Sequence, residues 1–344
     1  MAVTWLQPPR VSGRLQPKAV FSISLIVVTL LPMAAILLQR GYAPASAFIG
    51  FLVALSATHV FSTCYLLTDP DVRQFAWQNP IRMIAVPILL TGIILVAFLV
   101  SGPLFVVLVL GAVLYQSWHF GAQNIGVSSF ISFAERHRPL SLGEKRIIRI
   151  GIVCGMAGVL QMVGPTYGYP PGTIVLWPWV TKLLAFTYAV GMLAAIGISL
   201  VAAYFAFRAW RAGHLMTAVA LFLSICFQLP MYATNDGAIG LLAFATAHGL
   251  QYLVFLSAHS MTDTARRTAW KFGIFIAPSA LILVALFGHV IWTAAPTYQP
   301  PTAPLIGMAL LGILTVNHFW FDQYLWKMKE RGKWMKDRFG FVFS

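Results

Sequence analysis

The chain has 344 residues, of which 59% are hydrophobic and only 9% are charged. A soluble domain carries roughly 25% charged residues, and one core in a protein of this length cannot hide so much apolar surface from water. The composition therefore excludes an ordinary soluble protein and favours an integral membrane protein. The net charge of +14 does not indicate a nucleic-acid-binding protein, because the lysines and arginines lie in short clusters between apolar runs, as membrane topology requires.

Ten apolar segments follow one another along the chain, and each is long enough to span a bilayer. They cover residues 19–38, 46–67, 82–101, 103–127, 146–164, 182–207, 214–234, 237–258, 272–294 and 304–326. Prolines and glycines gather between the segments, as expected at helix ends. The pattern predicts an all-α, polytopic transmembrane bundle of about ten helices over residues 19–326, with a basic segment at 1–18 and a basic tail at 327–344.

The distribution of positive charge sets the predicted orientation. With a cytoplasmic N-terminus, 21 of the 23 lysines and arginines fall on the cytoplasmic side, and only Arg40 and Lys182 fall outside. Positively charged loops stay inside the cell, so both termini are predicted to be cytoplasmic. We expect a multi-pass protein of the cell's inner (cytoplasmic) membrane, with the lipid bilayer as a partner and no nucleic acid.

Four of the eight histidines lie within predicted spans that all run from outside to inside. They are His59, His119, His248 and His318. At about 1.5 Å of rise per residue their depths differ by roughly 8 Å, so the four imidazoles are predicted to share one layer. Ionisable groups within spans are costly and usually mark function, and neutral imidazole suits iron, copper and zinc. We predict that these histidines bind a metal; hydrogen bonding between helices is the structural alternative.

Each of these histidines also has a polar neighbour about one turn further along its helix, a spacing that places both on one face. We single out Gln123, Tyr252 and Asp322 as candidate catalytic residues. Asp322 and Gln123 are expected to orient the metal ligands through hydrogen bonds. Tyr252 is expected to donate a proton or simply to pack.

Single histidines embedded in a polytopic membrane chain, together with the string His119-Phe120-Gly121, resemble the Brp/Blh family of membrane dioxygenases that cleave carotene. The resemblance implies a non-haem iron bound by four histidines and an apolar polyene substrate that enters from the lipid. Only His119 carries a local match to the family. His59, His248 and His318 enter the comparison through their depth.

Three functions remain open at this stage. The first is a metal-dependent membrane oxidoreductase, an oxygenase that uses non-haem iron on an apolar, lipid-soluble small molecule. The second is a redox or haem-modifying protein with bis-histidine haem, similar to haem A synthase-like proteins. The third is a transporter or permease, in which the histidine layer forms a polar path with Asp322, Gln228 and Asn235. The break expected at Pro230 supports this third function.

Overall fold

The structure is a computed structural model that describes residues 16–38, 59–60, 65–100, 102–159, 178–233, 237–262, 302–326 and 328–343. Every regular element in these ranges is a helix, so the predicted all-α class is confirmed. The predicted span 272–294, most of the span 46–67 and Asn235 lie outside the described residues. The other eight predicted segments are occupied by described helices.

The helices are α1 (Pro17–Leu38), α2 (Pro70–Gln78), α3 (Val86–Val100), α4 (Gly102–Arg136), α5 (Leu142–Val159), α6 (Pro178–Arg211), α7 (Leu215–Ile225), α8 (Pro230–Ala233), α9 (Gly237–Thr262), α10 (Thr302–Leu325), α11 (Met328–Arg338) and α12 (Gly340–Phe343). A π-helical turn at Ile81–Ala85 leads into α3. The indole N–H of Trp320 on α10 donates to the carbonyl of Arg82 in that turn, at 2.5 Å. This bond fixes α10 against the start of α3.

Two described helices are long and apolar enough to cross a bilayer, over Pro17–Ala34 and Lys182–Arg211. The pair Pro70–Gln78 and Ile81–Val96 is bent by 102° and would add a third span if both parts belong to one crossing. The structure thus supports two or three membrane-spanning helices by length and composition. The bundle of ten spans remains a prediction.

Helix α6 presents an apolar face to its surroundings. Large apolar side chains are exposed at spacings of three and four residues along it, at Leu183, Phe186, Val190, Leu193, Ile196 and Leu200. A helix on the surface of a soluble protein turns its polar face outward instead. The exposed fraction reaches 67% for Phe186 and 72% for Leu200, so this face matches a hydrocarbon environment.

The centre of the fold is formed by α1, α4, α9 and α10. Helix α9 packs along α1 and against α4, and α10 packs against α3 and α4. On the other side of α4, small residues let α5 approach α7 closely, as at many membrane helix interfaces. A side chain at Gly151 would collide with the backbone of Ile225, and one at Gly155 would collide with Gln228.

The predicted break near Pro230 is present. Helix α7 ends at Ile225 and α8 begins at Pro230, which suits the first turn of a helix because it lacks an N–H to donate. The intervening turn buries Gln228, whose amide nitrogen donates to the carbonyl of Ser117 on α4, at 3.1 Å. This hydrogen bond connects the break to the middle of α4.

The predicted tail is folded into the bundle in its described part. Met335 of α11, Phe339 between the two helices and Val342 of α12 are fully buried. The ring of Phe339 contacts those of Phe130 and Phe255, with centroids 5.4 and 5.8 Å apart. The tail therefore helps to close one end of the core.

Candidate metal centre

The structure brings the four predicted histidines together in the middle of the helix bundle. His119 lies on α4, His248 on α9 and His318 on α10, while His59 lies in the short described stretch 59–60. His59, His248 and His318 are almost completely buried. His119 is the most accessible of the four, with 10% of its side chain exposed.

The four imidazole rings form a closed circle of contacts. The ring of His59 lies 4.6 Å from that of His248 and 4.7 Å from that of His318, measured between centroids. The ring of His119 lies 4.9 Å from that of His248 and 5.9 Å from that of His318. All four contacts are T-shaped, so the rings pack edge to face within a small volume.

The buried carboxylate of Asp322 lies close to three of these four histidines. One ligand atom from each of His119, His248, His318 and Asp322 lies within 4.8 Å of all the others. The Oδ2 atom of Asp322 is 3.5 Å from Nε2 of His318 and 3.7 Å from Nε2 of His119. Metal–nitrogen and metal–oxygen bonds of about 2.1 Å place neighbouring ligand atoms roughly 3–4 Å apart. The group could therefore hold a metal ion.

His59 contributes to this centre differently from the other three histidines. Its ring contacts those of His248 and His318, but it is not one of the four residues whose ligand atoms converge. Asp322, which we expected to orient ligands, lies among the candidate ligands instead. The structure thus assembles a set of three imidazoles and one carboxylate, with His59 packed beside it.

The electrostatics of the centre favour a bound cation. Asp322 is 4% exposed, and within the described part of the chain its ion-pair contacts are with histidines rather than with lysine or arginine. Three imidazole nitrogens have no hydrogen-bond partner among the described residues, namely Nδ1 and Nε2 of His248 and Nε2 of His119. Buried polar groups are normally paired, so a metal ion would supply the missing partner for both the carboxylate and the imidazoles.

Tyr252 lies against the candidate ligands. Its hydroxyl donates to Oδ1 of Asp322 at 3.2 Å, which leaves Oδ2 directed at the histidines. Its ring also contacts His318, with a centroid separation of 5.2 Å. Tyr252 is therefore placed to fix the orientation of the carboxylate, by the kind of hydrogen bond that positions metal ligands in other proteins.

Gln123 supports the centre through the backbone. Its amide nitrogen donates to the carbonyl of His248 at 3.2 Å and to Oε1 of Gln251 at 3.0 Å. Gln251 in turn donates to Thr29 on α1 at 2.6 Å and to Oδ1 of Asn124 at 2.9 Å. This amide network ties α1, α4 and α9 together one turn from the histidines.

Phenylalanine rings cover the centre. Phe319 stacks on His119 with centroids 4.3 Å apart, and Phe120 lies 4.5 Å from the ring of His248. Both phenylalanines are almost completely buried. Gly121, the last residue of the string His119-Phe120-Gly121, packs under the side chain of Ile152 on α5. Within this string, Phe120 and Gly121 therefore serve packing, and only the imidazole is available to bind a metal.

A cavity of about 450 Å³ adjoins one side of the centre. His119, Tyr252 and Asp322 line it, whereas His248 and His318 do not. Such a volume is typical of sites that bind small molecules. The cavity therefore gives access to the centre from the side of His119 and Asp322.

A second buried aspartate, Asp69, lies near the far end of α9. Its Oδ2 atom accepts hydrogen bonds from His259 at 3.1 Å, Trp334 at 3.3 Å and Arg338 at 3.1 Å. Its Oδ1 atom accepts from the backbone N–H of Asp71 at 2.8 Å and so caps α2. Burial alone would raise the pKa of Asp69, but these hydrogen bonds and the charge of Arg338 hold its pKa well below the usual range.

Sequence reasoning did not find this second group, which we call the Asp69 cluster (Asp69, His259, Trp334 and Arg338). Trp334 and Arg338 are four residues apart on α11, so they share one helix face. This spacing is the one feature of the sequence that could have indicated that Trp334 and Arg338 act together. The cluster is separate from the metal centre, because eleven residues of α9 between His248 and His259 correspond to about 16 Å.

Comparisons with known proteins give no further guidance, because no protein-family model, no curated protein and no solved structure matches the chain.

Proposed function

We propose that the chain is a ten-span membrane enzyme of the inner (cytoplasmic) membrane, in which a buried metal centre acts on a lipid-soluble small molecule. The metal we propose is non-haem iron, held by His119, His248, His318 and Asp322. The reaction we propose is oxygenation, with dioxygen as the oxidant. Iron would supply the activation of dioxygen, and both termini would lie in the cytoplasm.

One observation carries the metal centre. A buried carboxylate, that of Asp322, faces two imidazole nitrogens at distances too long for hydrogen bonds. A carboxylate in an apolar interior is stable only beside a cation or when protonated. A divalent ion between these groups supplies the cation and uses the orphaned nitrogens of His248. Mixed imidazole and carboxylate ligands are typical of non-haem iron sites.

The surrounding residues suit an oxygenase of this kind. Phe120 and Phe319 exclude water from two of the candidate ligands. Tyr252 holds Asp322 in place, and the adjoining cavity reaches the centre at His119. Dioxygen and an apolar substrate both partition into the bilayer interior, so a centre buried among helices is accessible to both. In a double-bond cleavage, as in the family that the sequence resembles, each oxygen atom enters one of two new carbonyl groups, and no external electron donor is needed.

Haem is the less favourable cofactor for this centre. Axial histidines bind haem from opposite faces of a flat macrocycle. In this structure the imidazole rings contact one another directly, with centroids 4.6–4.9 Å apart for three of the pairs. Such contacts leave no gap for a macrocycle, whereas a single ion fits between the nitrogen atoms.

Transport is a second candidate, and the break between α7 and α8 favours it. Discontinuous helices line the substrate sites of many transporters, and this break buries the polar side chain of Gln228. Against a continuous polar path, Gln228 is hydrogen-bonded to the backbone of α4. The break is therefore accounted for by packing as well as by transport.

The test is to purify the full chain in a non-ionic detergent, then to record its metal content and absorption spectrum together. About one iron per chain without a Soret band is the expected result. A strong Soret band would select haem. Absence of metal and haem, combined with solute uptake by proteoliposomes under an ion gradient, would select transport and overturn the enzyme.

The topology has its own test. A fluorescent protein that folds only in the cytoplasm is fused after Ser344, and a phosphatase that is active only outside is fused within residues 165–177. The ten-span arrangement predicts fluorescence from the fusion after Ser344 and phosphatase activity from the fusion within residues 165–177. A dark fusion after Ser344 or an inactive phosphatase within residues 165–177 would contradict it.

A further inference from the structure

The cavity beside the metal centre has an apolar body and one charged end. Aromatic side chains form much of its lining, among them Trp118, Phe130, Phe255 and Trp326. Arg149 on α5 is the only lysine or arginine among the described residues that line it. The cavity thus offers a hydrophobic surface to a chain and one positive charge to a head group.

Arg149 lies away from the metal centre along α4. Helix α5 returns antiparallel to α4 after the connection 137–141, and Ile152 of α5 packs on Gly121. Arg149 is almost one helical turn before Ile152, so it lies nearer the connection between the two helices. His119 is two residues before Gly121 on the antiparallel helix, so it is displaced in the opposite direction. The two displacements add, and Arg149 and His119 are separated along the helix axes by on the order of 10 Å.

Arg149 differs from Arg136 and Arg338, which are both held in ion pairs. Arg136 forms a bidentate pair with Glu144, at 2.9 and 3.3 Å, and Arg338 binds Asp69. Arg149 is exposed and forms no ion pair with any residue that the structure describes. Its guanidinium is therefore free to bind a carboxylate or a phosphate through paired hydrogen bonds.

We propose that this cavity binds a single-chain anionic amphiphile, with its carboxylate or phosphate head on Arg149 and its hydrocarbon chain directed toward His119 and Asp322. The role of this ligand as substrate of the metal centre rests on the proposed function, whereas its binding to the cavity does not require the metal. The proposal replaces a neutral polyene with a charged lipid, because the described lining of the cavity includes one cationic side chain, that of Arg149.

The experiment measures binding of oleate and of oleyl alcohol to the purified full chain in a non-ionic detergent. The two probes share the hydrocarbon chain and differ in the charge of the head. Arg149→Gln is expected to weaken oleate binding about 10- to 100-fold, the range for loss of a charge-assisted hydrogen bond, and to leave oleyl alcohol binding unchanged. Arg149→Lys is expected to retain most of the oleate affinity.

The matched control is Arg146→Gln, which removes the same charge from an exposed position on the same helix that does not line the cavity. Its oleate affinity is expected to equal that of the unaltered protein. Equal losses for Arg146→Gln and Arg149→Gln, or equal losses for oleate and oleyl alcohol, would overturn the proposal. Oleyl phosphate in place of oleate tests the phosphate head group, and a loss of binding of either probe that is specific to Arg149→Gln supports the proposal.

Failure of this proposal can be distinguished from failure of the proposed function. Iron content is measured on the same Arg149→Gln sample and is expected to be unchanged, because Arg149 is not a candidate ligand. Oleate binding that depends on Arg149 in a protein without metal would support the amphiphile site and overturn the metal enzyme. If iron is bound and the oleate affinity is the same with and without Arg149→Gln, only the amphiphile site is overturned.

Discussion

Two buried aspartates, each beside histidine, show the difference between a structural ion cluster and a candidate metal centre. Asp69 accepts hydrogen bonds from three side chains at 3.1–3.3 Å, one of them the cation Arg338. Asp322 has Nε2 atoms of His318 and His119 at 3.5 and 3.7 Å. The Asp69 cluster is complete as a set of protein groups. The Asp322 group has no lysine or arginine among the described residues, so its carboxylate would need an added cation or a proton.

Burial alone does not identify a functional carboxylate. Both aspartates are less than 7% exposed. What separates them is whether the Oδ2 atom has donors within hydrogen-bonding distance and whether a lysine or arginine is present among the described residues. The Oδ1 atom of Asp322 accepts from Tyr252.

His248→Ala removes a candidate ligand and is expected to weaken metal binding by more than about 100-fold, since loss of residues that only support ligands already costs 10- to 100-fold. The measurement is iron content after competition with a soluble chelator. The control is His137→Asn, at an exposed position with a positive φ of 55° that asparagine tolerates. Equal iron content in the two variants would remove His248 from the metal centre.

Arg338→Gln leaves the carboxylate of Asp69 buried without its cation. Breaking a buried pair costs about 3–5 kcal/mol, and because 15% of the Arg338 side chain is exposed we expect about 3 kcal/mol. Thermal unfolding in detergent should show a lowered midpoint, while bound iron stays unchanged. The matched variant Lys336→Gln, exposed on the same helix, should unfold like the unaltered protein. Loss of iron in Arg338→Gln would show that the two aspartates belong to one site.

Acid is expected to weaken the Asp69 cluster specifically. The native pKa of Asp69 is lowered, so the group stabilises the fold above its unfolded pKa of about 3.9 and loses this contribution as pH falls below that value. The unfolding midpoint should therefore drop progressively as the pH falls below about 4, toward the lowered native pKa of Asp69. Asp69→Asn should flatten this dependence. An equally steep drop in Asp69→Asn would assign the acid sensitivity to another carboxyl group.

Gln123→Leu is expected to have the smallest effect. The substitution removes donors to the carbonyl of His248 and to Gln251, at a cost of about 1 kcal/mol for each hydrogen bond. Iron affinity should fall roughly 10-fold. Ser129→Ala, which removes a bond to the same helix's own backbone, serves as the control and should bind iron normally.

Much of the fold was accessible from the sequence because its main signal is local. Apolar runs predicted the helices from 82 to 258, and the proline at position 230 predicted the break that the structure contains. Depth along co-directional helices was enough to group His119, His248 and His318, because a straight helix converts residue number into height.

The remaining features depend on packing between distant parts of the chain. Asp69 is 190 residues from His259 and 269 residues from Arg338, and no local pattern relates them. The spacing of His248 and Gln251 predicted one helix face but not that Gln251 would bind Thr29 and Asn124. Such contacts depend on the rotation of each helix about its own axis, which local sequence does not specify. The same rotation places Asp322 among the candidate ligands.

The most direct test compares the two aspartates in one measurement, the iron content of Asp322→Asn and Asp69→Asn purified side by side. Asparagine preserves the shape of each side chain and removes its charge. We predict that Asp322→Asn loses iron while its helical circular dichroism is retained, and that Asp69→Asn keeps iron but unfolds at a lower temperature. Full iron content in a folded Asp322→Asn protein would contradict a metal centre built on this carboxylate.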